Sequence, residues 1–93
     1  MKINLEEIEF IESVEDYLKI YVTIGKPVMT LMTIKAILEK LPQEKFMRIH
    51  RSYIIPVAKI KSVLGKKVKL TTAELPVSDS YIDNLKAWLR NTT

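Results

Sequence analysis

The chain has no cysteine, one histidine and two glycines among its 93 residues. Without cysteine there is no disulfide framework and no thiolate zinc site, and a lone His50 argues against a histidine-based metal centre. Gly25 and Gly65 stand far apart, so no glycine-rich phosphate loop is present. The adjacent acids Glu6-Glu7 and Glu15-Asp16 read as solvated turn residues rather than a poised catalytic dyad. These absences lead to the expectation of a protein that is not an enzyme and uses no cofactor or metal. No apolar run reaches the roughly 18 residues needed to span a bilayer, and Met1 to Glu7 lacks the apolar core of a signal peptide. A cytoplasmic protein with no membrane partner is expected.

Carboxylates are also missing from one long stretch. From Lys45 to Ala73 there is no acid, while Lys45, Arg48, Arg51, Lys59, Lys61, Lys66, Lys67 and Lys69 supply eight cations. The first sixteen residues are the reverse, with Glu6, Glu7, Glu9, Glu12, Glu15 and Asp16 against Lys2. The net charge of +4 is modest, so it is the clustering that suggests an anionic partner, a phosphate backbone bound with counterion release. The forked guanidinium of Arg51 is suited to a base edge.

Ninety-three residues with 47% apolar content suit one domain over residues 1–93. Ile8 to Ser13 reads as a strand, followed by a polar turn at Glu15-Asp16. Tyr17 to Ile24 alternates with period two, which would turn Leu18, Ile20, Val22 and Ile24 inward and Tyr17, Lys19, Tyr21 and Thr23 outward. Gly25-Lys26-Pro27 turns the chain into a hairpin strand, Val28 to Leu31. Thr33 is placed to cap a helix bearing Ile34, Ile37, Leu38 and Leu41, and Pro42 stops it. Phe46 to Ile49 and Tyr53 to Val57 are strand-like but interrupted by His50-Arg51-Ser52, where a bulge or bend would swing a polar side chain off the sheet. Ile60 to Leu64 and Lys67 to Leu70 flank Gly65-Lys66 as a second hairpin, and Pro76 in Leu75-Pro76-Val77 argues for an edge. A terminal helix follows Ser78-Asp79-Ser80, each a competent N-cap, with Tyr81, Ile82, Leu85, Trp88 and Leu89 along one stripe. The fold class is mainly β, with antiparallel sheets, a short internal helix and a C-terminal helix.

The ordered series Ile8-Glu9-Phe10-Ile11-Glu12, Asp16-Tyr17-Leu18-Lys19-Ile20, the helical segment Thr33 to Leu41, Phe46-Met47-Arg48-Ile49-His50-Arg51-Ser52-Tyr53-Ile54-Ile55, Lys59-Ile60, and Leu75-Pro76-Val77-Ser78 with Tyr81 resembles the LytTR DNA-binding domain over nearly the whole chain. The resemblance implies a β-rich domain that places loops, rather than a recognition helix, in successive major grooves of double-stranded DNA. It further implies a bacterial two-component response regulator with an upstream receiver domain, and two copies on a repeated operator. Carried over by position, the base-contacting residues are Tyr17, Arg51 and Asp79. Lys19, Lys45, Arg48, His50, Ser52, Ser78 and Ser80 are the candidate phosphate contacts, with Lys19 and Lys45 expected to flank the loops. Pro56 stands where relatives often have Asn.

Each of these residues has a structural alternative. Arg51 could pair with Glu12 or another acid, and Asp79 is favoured as a cap of the last helix. His50 and Ser52 could serve the bend, His50 by hydrogen bonding to a backbone carbonyl or by stacking on an aromatic such as Tyr53. Lys59, Lys61, Lys66, Lys67 and Lys69 read as a solvated sheet face, and Tyr17 and Tyr21 as sheet packing. The functional alternative is a β module that docks a partner protein without specific nucleic-acid binding.

Overall fold

Period-two alternation in the central strands buries apolar side chains on both faces of one sheet. The computed structural model describes residues 3–91. Strands β1 (Ile8–Val14), β2 (Tyr17–Val22), β3 (Val28–Leu31), β4 (Phe46–His50) and β5 (Tyr53–Pro56) form an antiparallel sheet in the order β3-β2-β1-β5-β4. On one face Ile11, Leu18, Ile20 and Ile54 pack with Ile34 and Leu41 from helix α1 (Ile34–Lys40) and its C-cap. On the other face Phe10, Ile49 and Ile55 pack against Val68, Leu70, Leu75, Val77 and Leu85. That second layer is a three-stranded sheet of β6 (Ile60–Leu64), β7 (Lys67–Leu70) and β8 (Glu74–Pro76), together with helix α2 (Asp79–Asn91). Fully burying each of these aliphatic side chains contributes roughly 1.5–3 kcal/mol, so the middle sheet anchors both cores.

Two bulges set where polar side chains fall. The register of β1 on β2 shifts between Ile8 and Phe10, so Ile8 and Ile11 share a face and Glu9 sits at the irregularity. The register of β4 on β5 shifts between Arg48 and His50, which brings His50 opposite Tyr53. Their rings lie 5.4 Å apart but are tilted by 53°, so His50 touches Tyr53 without the stacking that was expected as its structural alternative.

The expected elements are present, and three details differ. Strand β2 ends at Val22 and Ile24 is 81% exposed, because Thr23 turns its N–H and hydroxyl to the Glu7 carbonyl. Tyr21, outward by period two, takes its sheet-packing alternative instead: its ring stacks on Phe10 at 4.1 Å, since this sheet is covered on both sides. Lys59 is no solvated lysine, as shown below. Thr33 does cap α1, its Oγ1 accepting from the Ala36 N–H at 3.1 Å, and β8 with Pro76 is an edge strand. No helix among the described residues is long and apolar enough to cross a membrane.

Candidate nucleic-acid interface

Strand direction gathers several turns at one end of the five-stranded sheet. Val14 pairs with Tyr17, Tyr17 with Leu31, and His50 with Tyr53, which lies beside Glu12 of β1. The β1–β2 turn (Glu15-Asp16) and the β4–β5 turn (Arg51-Ser52) therefore emerge together. Backbone hydrogen bonds fasten the row. The Ser13 N–H donates to the Ser52 carbonyl at 2.8 Å, the Ser78 N–H to the Ile49 carbonyl at 2.9 Å, and the Val77 N–H to the Lys66 carbonyl at 2.7 Å. Each loop is thus tied to the next, which holds exposed side chains at fixed spacing on a rigid support.

The Arg51 turn is the most constrained of these. Arg48 donates from Nε to the His50 carbonyl at 3.2 Å and from one terminal nitrogen to the Arg51 carbonyl at 2.7 Å. Its guanidinium also lies 5.4 Å from the Tyr81 ring of α2. The Ser52 N–H donates to His50 Nδ1 at 3.1 Å, which fixes the proton of the neutral imidazole on Nε2. Arg48 and His50 thus brace the turn, and the Arg51 side chain is exposed with no hydrogen bond or ion pair among the described residues.

The alternative pairing of Arg51 with Glu12 does not occur. Glu12 accepts from Tyr21 Oη at 3.1 Å and Tyr53 Oη at 3.3 Å. Burial, followed by the charge and hydrogen bond of Glu12, holds the Tyr53 hydroxyl above its ordinary pKa. With its carboxylate occupied in this way, Glu12 leaves Arg51 to solvent.

Tyr17 opens β2 at the same end, 46% exposed. Lys19 lies over the Tyr21 ring at 5.2 Å. Asp79 is the first residue of α2 rather than its cap, and its carboxylate pairs with Lys66 Nζ at 2.6 Å. Ser78 is bonded to Ile49 through its N–H, and Ser80 is exposed in the first turn of α2. These candidates are brought together, but Lys45 is not. It precedes Phe46, which pairs with Pro56, so Lys45 lies at the far end of β4 beside a depression of about 480 Å³ lined in part by Leu5, Phe46 and Pro56. Its expected place flanking the loops is corrected by the strand direction.

At that far end the charge is internal. Glu9 is 6% exposed and is met by Lys59 Nζ at 2.6 Å, the Thr23 hydroxyl at 2.9 Å and the Thr72 hydroxyl at 3.1 Å. Burial pushes the Glu9 pKa up, but the hydrogen bonds from Lys59, Thr23 and Thr72 and the charge of Lys59 outweigh it and hold the carboxyl below its ordinary range. Lys59 also donates to the Ile8 carbonyl at 2.9 Å, so this cation staples the second layer to the β1 bulge. Sequence reasoning missed two residues. Glu9 was signalled by a single acid inside the apolar run Ile8 to Ile11, and Lys66 by its place beside Gly65 in a tight hairpin.

Comparisons with known proteins give the family and the fold. The model of the LytTr DNA-binding domain family matches residues 1–90. Curated proteins give no match. Among solved structures, the LytTr DNA-binding domain of a response regulator from Bacillus cereus superposes with a TM-score of 0.84 at 19% identity, covering 96% of this chain and 86% of that one. At that identity the likeness shows the fold.

Proposed function

The chain belongs to the LytTr DNA-binding domain family, and from that premise we propose that it binds double-stranded DNA sequence-specifically, inserting its row of loops into the major groove. The observation that carries this reading is the braced β4–β5 turn with Arg51 exposed at its tip. The bracing fixes the backbone from which Arg51 projects, and its free guanidinium is suited to bidentate donation to guanine O6 and N7, worth roughly 1–3 kcal/mol of discrimination. Tyr17 and Asp79 are the other proposed base contacts. Lys19, Ser52, Ser78 and Ser80 are proposed phosphate contacts, as are the unengaged N–H groups of Arg48 and His50 Nε2. Lys45 is left out because of its position.

The wider reading is transcriptional control by a two-component response regulator, with this domain as output module, a receiver domain upstream and two copies on a repeated operator. It is supported by the family and by the regulator whose domain shares this fold. In vitro selection from a random duplex pool at near-physiological salt tests it. Enrichment of a short motif, repeated about one helical turn apart, is expected. Weak binding that vanishes with rising salt and enriches nothing would leave generic electrostatics alone and favour the protein-docking alternative.

A further inference from the structure

An acid on a surface that meets DNA is a liability, since it repels phosphate unless its charge is compensated. Asp79 is such an acid, and the β6–β7 turn delivers its compensation. Lys66 Nζ lies 2.6 Å from Asp79 Oδ1, and the Lys66 carbonyl accepts the Val77 N–H at 2.7 Å, so the turn is fixed to the segment that leads into α2. The next N–H along, Ser78, binds Ile49 at the β4 bulge, so Lys66 and Arg51 belong to loops held by the two sides of one short segment. Both partners of the ion pair are well exposed, Lys66 at 66% and Asp79 at 79% of their side chains. An ion pair so exposed adds little to stability, about 0–1 kcal/mol.

We propose that Lys66 and Asp79 act as one unit of DNA recognition. The β6–β7 turn is a further DNA-facing loop, whose lysine neutralises Asp79 and holds its carboxylate to accept from the N4 amino group of a cytosine. The chemistry is specific to this base, because a carboxylate is acceptor-only and cytosine alone presents its major-groove edge as an N4 donor without the N7 acceptor of adenine. Lys66 is the positioning residue and Asp79 the reader. This rests on the DNA-binding reading above.

A double-mutant cycle on the selected duplex tests it, using wild type, Lys66→Ala, Asp79→Ala and the double variant, with fluorescence anisotropy at about 0.15 M salt. Lys66→Ala should weaken binding roughly tenfold when Asp79 is present and less than about threefold when it is absent, because the loss includes an uncompensated repulsion. Selection repeated with each single variant should flatten a cytosine preference at the same base pair. Equal losses in the two backgrounds, or flattening at different positions, overturns the unit while the DNA reading stands. A wild type that prefers no sequence overturns both. Thermal melting of the four proteins should be unchanged within a few degrees, which separates recognition from folding.

Discussion

At one end of the five-stranded sheet Glu9 is buried, with Lys59, Thr23 and Thr72 all bound to its carboxylate. At the other end Arg51 stands in solvent on a turn whose backbone is gripped by Arg48 and His50. Both arginines and Lys59 come from the same acid-free stretch, yet they do different work. Lys59 is committed to an internal carboxylate and joins two layers. Arg48 is spent largely on the backbone carbonyls beside Arg51, and Arg51 remains available to a ligand. Cation density in the sequence is therefore a poor guide to the binding surface, and the position of each cation along its strand is a better one.

The largest expected effect would break the buried end. Lys59→Met leaves Glu9 with a charge in a largely desolvated site, and should lower unfolding free energy by about 2–4 kcal/mol in urea titration, while the sequence preference of the folded fraction is retained. A stability loss under about 0.5 kcal/mol would show that the staple is idle. At the loop end the order is reversed. Arg51→Ala should cost roughly 1–3 kcal/mol of affinity for the preferred duplex and leave the urea midpoint nearly unchanged.

Acidity sharpens the same contrast. The folded Glu9 pKa is lowered, so its ionised form adds stability that is complete above the unfolded carboxylate value and is lost as pH falls through the folded one. Urea midpoints measured from pH 6 downward, on the order of the carboxylate range near 4.3, should decline on the acid side, and Glu9→Gln should decline less steeply. Identical acid limbs in the two proteins would remove Glu9 as the titrating group. The smallest effect concerns the β1–β2 turn, where Glu15 adopts φ 54, a left-handed conformation that favours glycine. Glu15→Gly should stabilise the fold by about 0.5 kcal/mol once the added unfolded-state freedom is subtracted, read as a small rise in melting temperature.

Much of this architecture was legible because local rules and tertiary structure agree. The alternation from Tyr17, which the strand follows as far as Val22, the cap at Thr33, the hairpin glycines and the polar break after Ile49 each predict an element that forms. The misreadings arise where local pattern is silent, because strand alternation does not say whether the second face of a sheet is covered, which distant residue meets a side chain, or at which end of a strand it emerges. Tyr21 looked exposed for that reason, although Phe10 and the second layer cover it. Lys59 looked solvated because its partner lies fifty residues earlier in the chain, at a bulge that no local pattern marks. Lys45 looked adjacent to Arg51 in sequence, but a five-residue strand separates them in space. The Arg51 turn itself was readable from three consecutive polar residues, while the bracing by Arg48 and the ion pair between Lys66 and Asp79 depend on contacts made only after the layers close.

The central claim is that the loop end, and not cation density, recognises DNA. Binding of wild type, Arg51→Ala and Lys45→Ala to a selected duplex and to a scrambled duplex of equal length, across a salt series, tests it most directly. The account predicts that Arg51→Ala loses its preference for the selected site, whereas Lys45→Ala binds both duplexes within about twofold of wild type, with an unchanged salt slope. Equal losses for the two variants on both duplexes would contradict it, and would return the binding to the diffuse charge of the chain.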